Sequence, residues 1–183
     1  RLIIVGGGVI GCEFACMYAS VGVPVTVLEA MPEICPNLDK DIAAVLREEL
    51  SKKGVEFKLE TKVESIEPKS VHFANSEGSG SIEGDLVLVA TGRKPNVSDL
   101  GLEDLGLDFD ARGVRVNDKG ATNVPGLWAA GDVTGEAWLA HAASRMAEVV
   151  VNNLNGRPDH MRFDKMPAVV YTSPEVAVVG LTK

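Results

Sequence analysis

The chain opens on an unbroken apolar run, Leu2-Ile3-Ile4-Val5, which reads as a short strand buried on both faces. The period then changes. From Val9 to Val21, Ile10, Phe14, Met17 and Val21 recur at spacings of three and four, a helical stripe. Gly22-Val23-Pro24 ends that helix, and Val25-Thr26-Val27-Leu28 restores strand character. A second helix is expected over Leu38 to Lys53, with Ile42, Val45, Leu46 and Leu50 on one side and Gly54 just past its end as a C-cap. Val55 to Leu59, Lys62 to Glu67, Ser70 to Ala74 and Asp85 to Ala90 read as strands, with the turn-rich stretch Asn75 to Gly80 among them. This order predicts an α/β fold: a Rossmann-like, three-layer βαβαβ unit with an antiparallel β excursion before the sheet resumes.

Beyond Ala90 the pattern weakens. Thr91 to Gly126 is rich in Gly, Asp, Asn and Pro and reads as crossing loops with short strands. Leu127 to Ala130 is a small apolar strand, and Ala137 to Leu154 a third helix ended by Asn155-Gly156. Pro158 to Met166 reads as a linker, and Val169 to Leu181 as paired strands. Domain boundaries are therefore expected near residues 91 and 158. Arg1 stands directly against a strand, and the β-rich run Glu175 to Lys183 has nothing after it to pair with, so both ends read as cuts through a longer protein.

Composition narrows the partners. Across 183 residues, 18 Lys and Arg stand against 26 Asp and Glu, a net charge of −8. Such a chain has no general attraction to nucleic acid or to anionic lipid, so any anionic ligand must be held by local geometry. No run approaches the ~20 uninterrupted apolar residues of a membrane span. Three cysteines are too few for a disulfide scaffold, and with 45% apolar residues the chain reads as a globular, cytoplasmic protein.

Gly6-Gly7-Gly8-Val9-Ile10-Gly11 satisfies G-x-G-x-x-G between the first strand and the first helix, and Glu29 ends the next strand, 29 − 11 = 18 residues after the last glycine. That is the dinucleotide fingerprint. Gly6 permits the tight turn, Gly8 lets backbone N–H groups approach a pyrophosphate, and Gly11 lets helix and strand pack closely. The helix N-terminus at Val9 to Gly11 attracts the anion without a basic side chain. Glu29 would accept hydrogen bonds from the ribose hydroxyls and repel a 2′-phosphate, and Ala30-Met31-Pro32 offer no arginine, which favours NAD(H) over NADP(H). The competing reading is a structural glycine turn with an exposed Glu.

A second constellation is Thr122 to Asp132, where a short apolar strand delivers Gly131 and Asp132 to its carboxyl end. Asp132 there suits hydrogen bonds from a polyhydroxylated chain, and the helix beginning near Trp138-Leu139-Ala140-His141 points N–H groups that suit a reduced flavin. An ordinary strand–turn–helix joint with a capping Asp fits the same residues.

Together, Gly6-x-Gly8-x-x-Gly11-x-Glu13, Ala90-Thr-Gly-Arg-Lys-Pro-Asn96, Trp128-Ala-Ala-Gly-Asp132, Leu139-Ala-His141 and Tyr171-Thr-Ser-Pro-Glu175 resemble the flavin-dependent pyridine nucleotide–disulfide oxidoreductases. The similarity runs from Arg1 to Lys183 and is greatest to the dihydrolipoamide dehydrogenase branch. It implies an enzyme in which a dithiol, free or carried as dihydrolipoamide on a protein, reduces an active-site disulfide, electrons pass to FAD, and NAD⁺ takes up hydride. It further implies an NAD-binding domain over 1–90, a second segment of an FAD-binding domain over 91–158 and the start of a dimerisation domain over 159–183, in a homodimeric parent. Gly6, Gly7, Gly8, Val9, Ile10 and Gly11 would hold the pyrophosphate and Glu29 the adenosine ribose. Val63 would lie at the adenine end, and Glu13 and Gly92 toward the nicotinamide. Asp132 would bind the ribityl chain, with Leu139, Ala140 and His141 beside the isoalloxazine ring.

The family's C-x-x-x-x-C redox pair has no match, since the cysteines are Cys12, Cys16 and Cys35. Cys12 and Cys16 stack on one helix face with poor geometry for a disulfide and read as buried packing, and Cys35 has no assigned role. The first FAD-phosphate loop and the C-terminal His–Glu base are likewise unmatched, and Ala142 to Glu148 lacks the Glu-Gly pair many members carry there. His72 and His160 read as solvated. No catalytic residue is assigned within the chain, no Cys/His spacing fits a metal, and the isolated chain is expected to be inactive. Competing readings are an NADH oxidase or coenzyme A-disulfide reductase relative, a flavin-free dehydrogenase, and a non-catalytic dinucleotide-binding module.

Overall fold

The structure is a computed structural model that describes residues 1–181. Thr182 and Lys183, the last residues of the expected dimerisation segment, lie outside the described residues. Contacts divide the chain into two compact units, Arg1–Gly92 with the segment that begins at Val169, and Arg93–Ala168.

The first unit is built on four parallel strands in the order β3-β2-β1-β7, where β1 is Leu2–Val5, β2 Val25–Leu28, β3 Val55–Lys58 and β7 Leu86–Val89. Helices α1 (Val9–Ser20) and α2 (Lys40–Lys52) join the first three strands. The step from β3 to β7 is made by an antiparallel sheet, β4 (Lys62–Glu67), β5 (Ser70–Asn75) and β6 (Gly78–Glu83). Alternation along β1 and β2 makes the layers, because successive side chains on a strand point to opposite faces. Leu2, Ile4, Val25 and Val27 enter one core with Cys12, Ala15, Leu46 and Leu50, while Ile3, Val5 and Leu28 enter another with Val71 and Phe73. The α/β, three-layer expectation with an antiparallel excursion is met. A short pair of strands, β10 (Ala168–Val170) and β11 (Val176–Val178), adds Val170 to the first core.

In this unit three sequence expectations need correction. The stripe Ile10, Phe14, Met17, Val21 lies outside, at 42%, 37%, 50% and 74% exposure, and the inward face of α1 is Gly11, Cys12, Ala15 and Cys16. Small residues are inside because α1 rides close to the turn before it: a Cβ on Gly11 would stand 2.0 Å from Gly6 O. On α2 only part of the stripe is buried, Leu46 and Leu50 with Ala43, leaving Ile42 and Val45 exposed. The stretch read as turn, Asn75 to Gly80, contains the start of β6, whose Gly80 pairs with Phe73, and a Cβ there would come within 3.0 Å of that ring.

In the second unit, β8 (Phe109–Asp110) and β9 (Gly113–Val114) form a small hairpin. The expected strand Leu127 to Ala130 is a single bridge between Ala121 and Trp128, since no longer ladder forms beside it among the described residues. Helix α3 runs Ala140–Leu154, three residues shorter at its start than the pattern suggested, and buries Ala142, Met146 and Val149 with Met161. Among the described residues no helix is long and apolar enough to cross a membrane.

Candidate functional site

In the first unit, Gly6 takes over from β1 at φ +107°, where a Cβ would stand 2.4 Å from Ala90 O, so both its torsion and its surroundings require glycine. The Gly6 N–H donates to Leu28 O at 2.8 Å, tying the turn to the end of β2. Gly8 occupies the N-cap of α1 with no side-chain cap, and a Cβ on it would meet nothing within 4 Å. The space beside the start of α1 at Gly8 is thus open, and the helix has no acidic residue in its first turn. Anions are stabilised by such an arrangement.

Glu29 sits at the end of β2, only 8% exposed. Its Oε2 accepts from Gly7 N–H at 2.5 Å and its Oε1 from Met31 N–H at 2.7 Å. The backbone on either side is fixed too, with Glu29 N–H donating to Lys58 O and Thr61 N–H to Glu29 O, both at 2.9 Å. An ionised carboxylate offers about four lone-pair positions, so two remain for hydroxyl donors after the two backbone bonds. The exposed-Glu alternative does not describe this residue. Arg47 on α2 pairs with Glu33: its Nε and Nη2 reach Glu33 Oε1 and Oε2 at 2.8 and 3.0 Å. Burial pushes the Glu33 carboxyl up, but the Arg47 guanidinium and the Ile34 N–H outweigh it and hold it below its ordinary value.

The remaining first-unit residues are spread around this loop. Ala90 N–H donates to Val5 O at 2.7 Å, and Gly92, exposed at φ +116°, follows two residues later. Val63 pairs with Phe73 and packs on the second core, two residues beyond Thr61. Glu13, half-buried on α1, accepts from Tyr171 N–H at 2.9 Å through Oε1. Cys12 and Cys16 are both buried, as expected, and so is Cys35.

The second unit holds the other expected set. Gly131, at φ +83°, leads into a 3-10 turn, Asp132–Thr134, whose Thr134 hydroxyl donates to Gly131 O at 2.8 Å. Asp132 faces Arg93 at 3.6 Å, and that guanidinium lies 5.9 Å from the Trp138 ring centre. Leu139 is the extended N-cap of α3, which has no side-chain cap and no acid in its first turn; Ala140 is exposed there. His141 Nε2–H donates to Pro167 O at 2.8 Å. Sequence reasoning quoted Arg93 within a motif but gave it no role. It also missed the hydrogen bond between Gly7 and Glu29, whose signal lay only in the fingerprint spacing.

The family model for "Pyridine nucleotide-disulphide oxidoreductase" matches residues 1–147. The chain is 38% identical to a dihydrolipoyl dehydrogenase of Bacillus subtilis over 184 residues, covering all of this chain and 40% of that protein. Among solved structures, LpdA from Mycobacterium tuberculosis superposes with a TM-score of 0.89 at 34% identity, over 99% of this chain and 40% of that one. The HOCl-induced flavoprotein disulfide reductase RclA from Escherichia coli gives 0.87 at 31% identity, over 100% and 42%. The chain spans about two fifths of the length of these relatives. With the glycine loop, the buried acid at the end of β2 and a family match over residues 1–147, the chain belongs to the pyridine nucleotide-disulphide oxidoreductases.

Proposed function

We propose that this chain is the NAD(H)-binding part of a flavin-dependent enzyme of the dihydrolipoamide dehydrogenase type, cytoplasmic and homodimeric as a whole. In this reading residues 1–90 form the NAD domain, 91–158 a second FAD segment and 159–183 the start of a dimerisation domain. The observation that carries it is the joint geometry of Gly7, Gly8 and Glu29: an acid anchored to the loop by its Gly7 N–H, beside a glycine with open space over it. Gly6 to Gly11, Val9 and Ile10 included, hold the pyrophosphate through backbone N–H groups. Glu29 takes the ribose hydroxyls with its free lone pairs, and a 2′-phosphate is disfavoured by its charge. Val63 faces the adenine end, and Glu13 and Gly92 the nicotinamide end.

For FAD, the residues of the second unit fit the group: the uncapped, acid-free first turn of α3 suits a ring that gains negative charge, and Asp132 suits ribityl hydroxyls. When bound, FAD would supply the relay of electrons from a dithiol to NAD⁺. Asp132, Leu139, Ala140 and His141 would orient it, with His141 fixed by Pro167 and Asp132 faced by Arg93. The C-x-x-x-x-C pair that a dithiol would reduce is not among these 183 residues, so this chain alone binds dinucleotide without turning over a dithiol.

Calorimetric titration of the chain with NADH and, in parallel, NADPH tests the reading. NADH is expected to bind and NADPH to bind at least about tenfold more weakly, the 1.4 kcal/mol that loss of a ribose hydrogen bond and gain of a repulsion readily produce. Equal or tighter binding of NADPH would overturn the role given to Glu29.

A further inference from the structure

Under the glycine loop, two thiols that the site does not use lie in contact. Cys12, in the first turn and a half of α1, and Cys35, in the loop after β2, are both buried, and their Sγ atoms are 3.7 Å apart. Both converge on one peptide: Cys12 S–H donates to Gly7 O at 3.3 Å and Cys35 N–H donates to the same oxygen at 2.9 Å. Cys35 holds its place at φ +45°, a left-handed conformation uncommon for a side-chain-bearing residue. The third thiol, Cys16, points elsewhere, accepting a hydrogen bond from Ser173 N–H at 3.3 Å.

We propose that Cys12 and Cys35 form a modification site, a dithiol that a small peroxide converts reversibly to a disulfide joining the first helix to the loop after Glu29. Burial excludes a bulky oxidant, but Pro36 and Asn37 beside Cys35 are exposed, so local opening of that loop admits a molecule the size of hydrogen peroxide.

The chemistry balances. Cys35 attacks as the thiolate: the O–O bond breaks, a sulfenic acid forms on Cys35, and the leaving hydroxide is protonated to water. Cys12 gives up its proton and attacks the Cys35 sulfur, forming the S–S bond and breaking the S–O bond, and a second water leaves. Two thiols lose two electrons in all, and one peroxide gains them. The order of roles follows from the surroundings. The hydrogen bond with Cys12 holds the Cys35 thiol below its ordinary value, against burial and the nearby Glu13, Glu29 and Glu33. Its bond to Cys35, burial, and the charges of Cys35, Glu29 and Glu13 push the Cys12 thiol up, so Cys12 is the resolving partner.

The chain is treated with hydrogen peroxide, denatured, alkylated and digested, and its disulfide-linked peptides are identified by mass. The expected result is loss of two of the three free thiols, one link joining Cys12 to Cys35, Cys16 alkylated, and full recovery of three thiols on treatment with a dithiol reductant. In C35S, Cys12 should remain a thiol, while in C12S Cys35 should stop at sulfenic acid, trapped by a dimedone-type reagent. A Cys12–Cys16 link, unchanged thiol count in the parent chain, or a sulfenic acid first on Cys12 would overturn the proposal. These readouts need no dinucleotide, so their outcome is independent of whether NADH binds.

Discussion

Gly8 and Gly11 lie three residues apart in one motif, and the structure assigns their hydrogens opposite tasks. A methyl on Gly11 would stand 2.0 Å from Gly6 O and 3.1 Å from Gly6 C, both backbone atoms that cannot swing aside. With room, Ala in place of a helical Gly would gain about 1 kcal/mol. Overpacking costs ~1–3 kcal/mol, and a clash that must move a backbone turn stands at the top of that range or beyond it. Gly11→Ala should therefore lose about 2 kcal/mol net, which for a chain of this size lowers Tm by ~4–8 °C. Gly8 differs: its backbone is extended at φ −71° and ψ −175°, and a methyl there meets nothing within 4 Å. Folding should change by less than ~1 kcal/mol in Gly8→Ala. The methyl instead occupies the space proposed for the pyrophosphate. Lengthening one charge-assisted hydrogen bond, worth ~1.5–3 kcal/mol, weakens NADH by roughly 10- to 100-fold. Thermal unfolding followed by far-UV circular dichroism at a wavelength dominated by the helices, with NADH titration of each variant, separates the two effects. Gly8→Ala binding NADH like the parent would refute the cradle, and Gly11→Ala melting with the parent would refute the close packing of α1.

Two further outcomes test the acid at β2 and the end of α3. Glu29→Gln keeps the size of the side chain but can accept from only one of the Gly7 and Met31 N–H groups, leaving a buried donor facing an amide N–H. It should lose ~1–3 kcal/mol of stability and most of its preference for NADH over NADPH; an unchanged preference on titration would show that Glu29 does not set it. Asp159 is gripped by Arg145 at 2.9 and 2.6 Å and by Asn152 at 2.8 Å, with His160 N–H as a fourth donor, and these hold its carboxyl down at about 2, from an ordinary 3.8. A depressed carboxyl contributes stability above its unfolded value and loses it as pH falls through the folded one. Asp159→Asn should therefore be less stable than the parent at neutral pH, with the gap closing between pH 3.8 and about 2. A gap equally wide at both ends of a urea-unfolding series would rule this out.

The layered core was legible because its information is local. The short unbroken apolar runs of β1 and β2, each bounded by turn residues, read as strands buried on both faces, and both divide their side chains between two cores accordingly. β6 was not legible for the converse reason. Its sequence Gly-Ser-Gly-Ser-Ile-Glu carries turn residues, and it becomes a strand only because β5 pairs with it and Phe73 covers Gly80. Tertiary pairing overrode propensity there. Leu127 to Ala130 shows the reverse, an apolar run that makes one bridge because no ladder forms beside it among the described residues.

In the site, the spacing of the glycines and Glu29 carried the reading, since the torsion of Gly6 and the approach of Gly11 to Gly6 O are set within a few residues. What spacing could not carry is contact between residues far apart in sequence, such as Glu29 on Gly7 or Cys35 on Cys12. The inverted face of α1 joins the two lessons. Periodicity alone puts Ile10, Phe14 and Met17 inside, because large apolar residues usually face the core. Yet Gly11 had already been read as the residue that brings helix and strand together, and a helix that close leaves room only for hydrogen, methyl and thiol. Gly11, Cys12, Ala15 and Cys16 are that set, at the same spacing of three and four. The steric demand of the loop therefore outranks hydrophobic size in orienting the helix, and it is also what brings the Cys12 sulfur against Cys35.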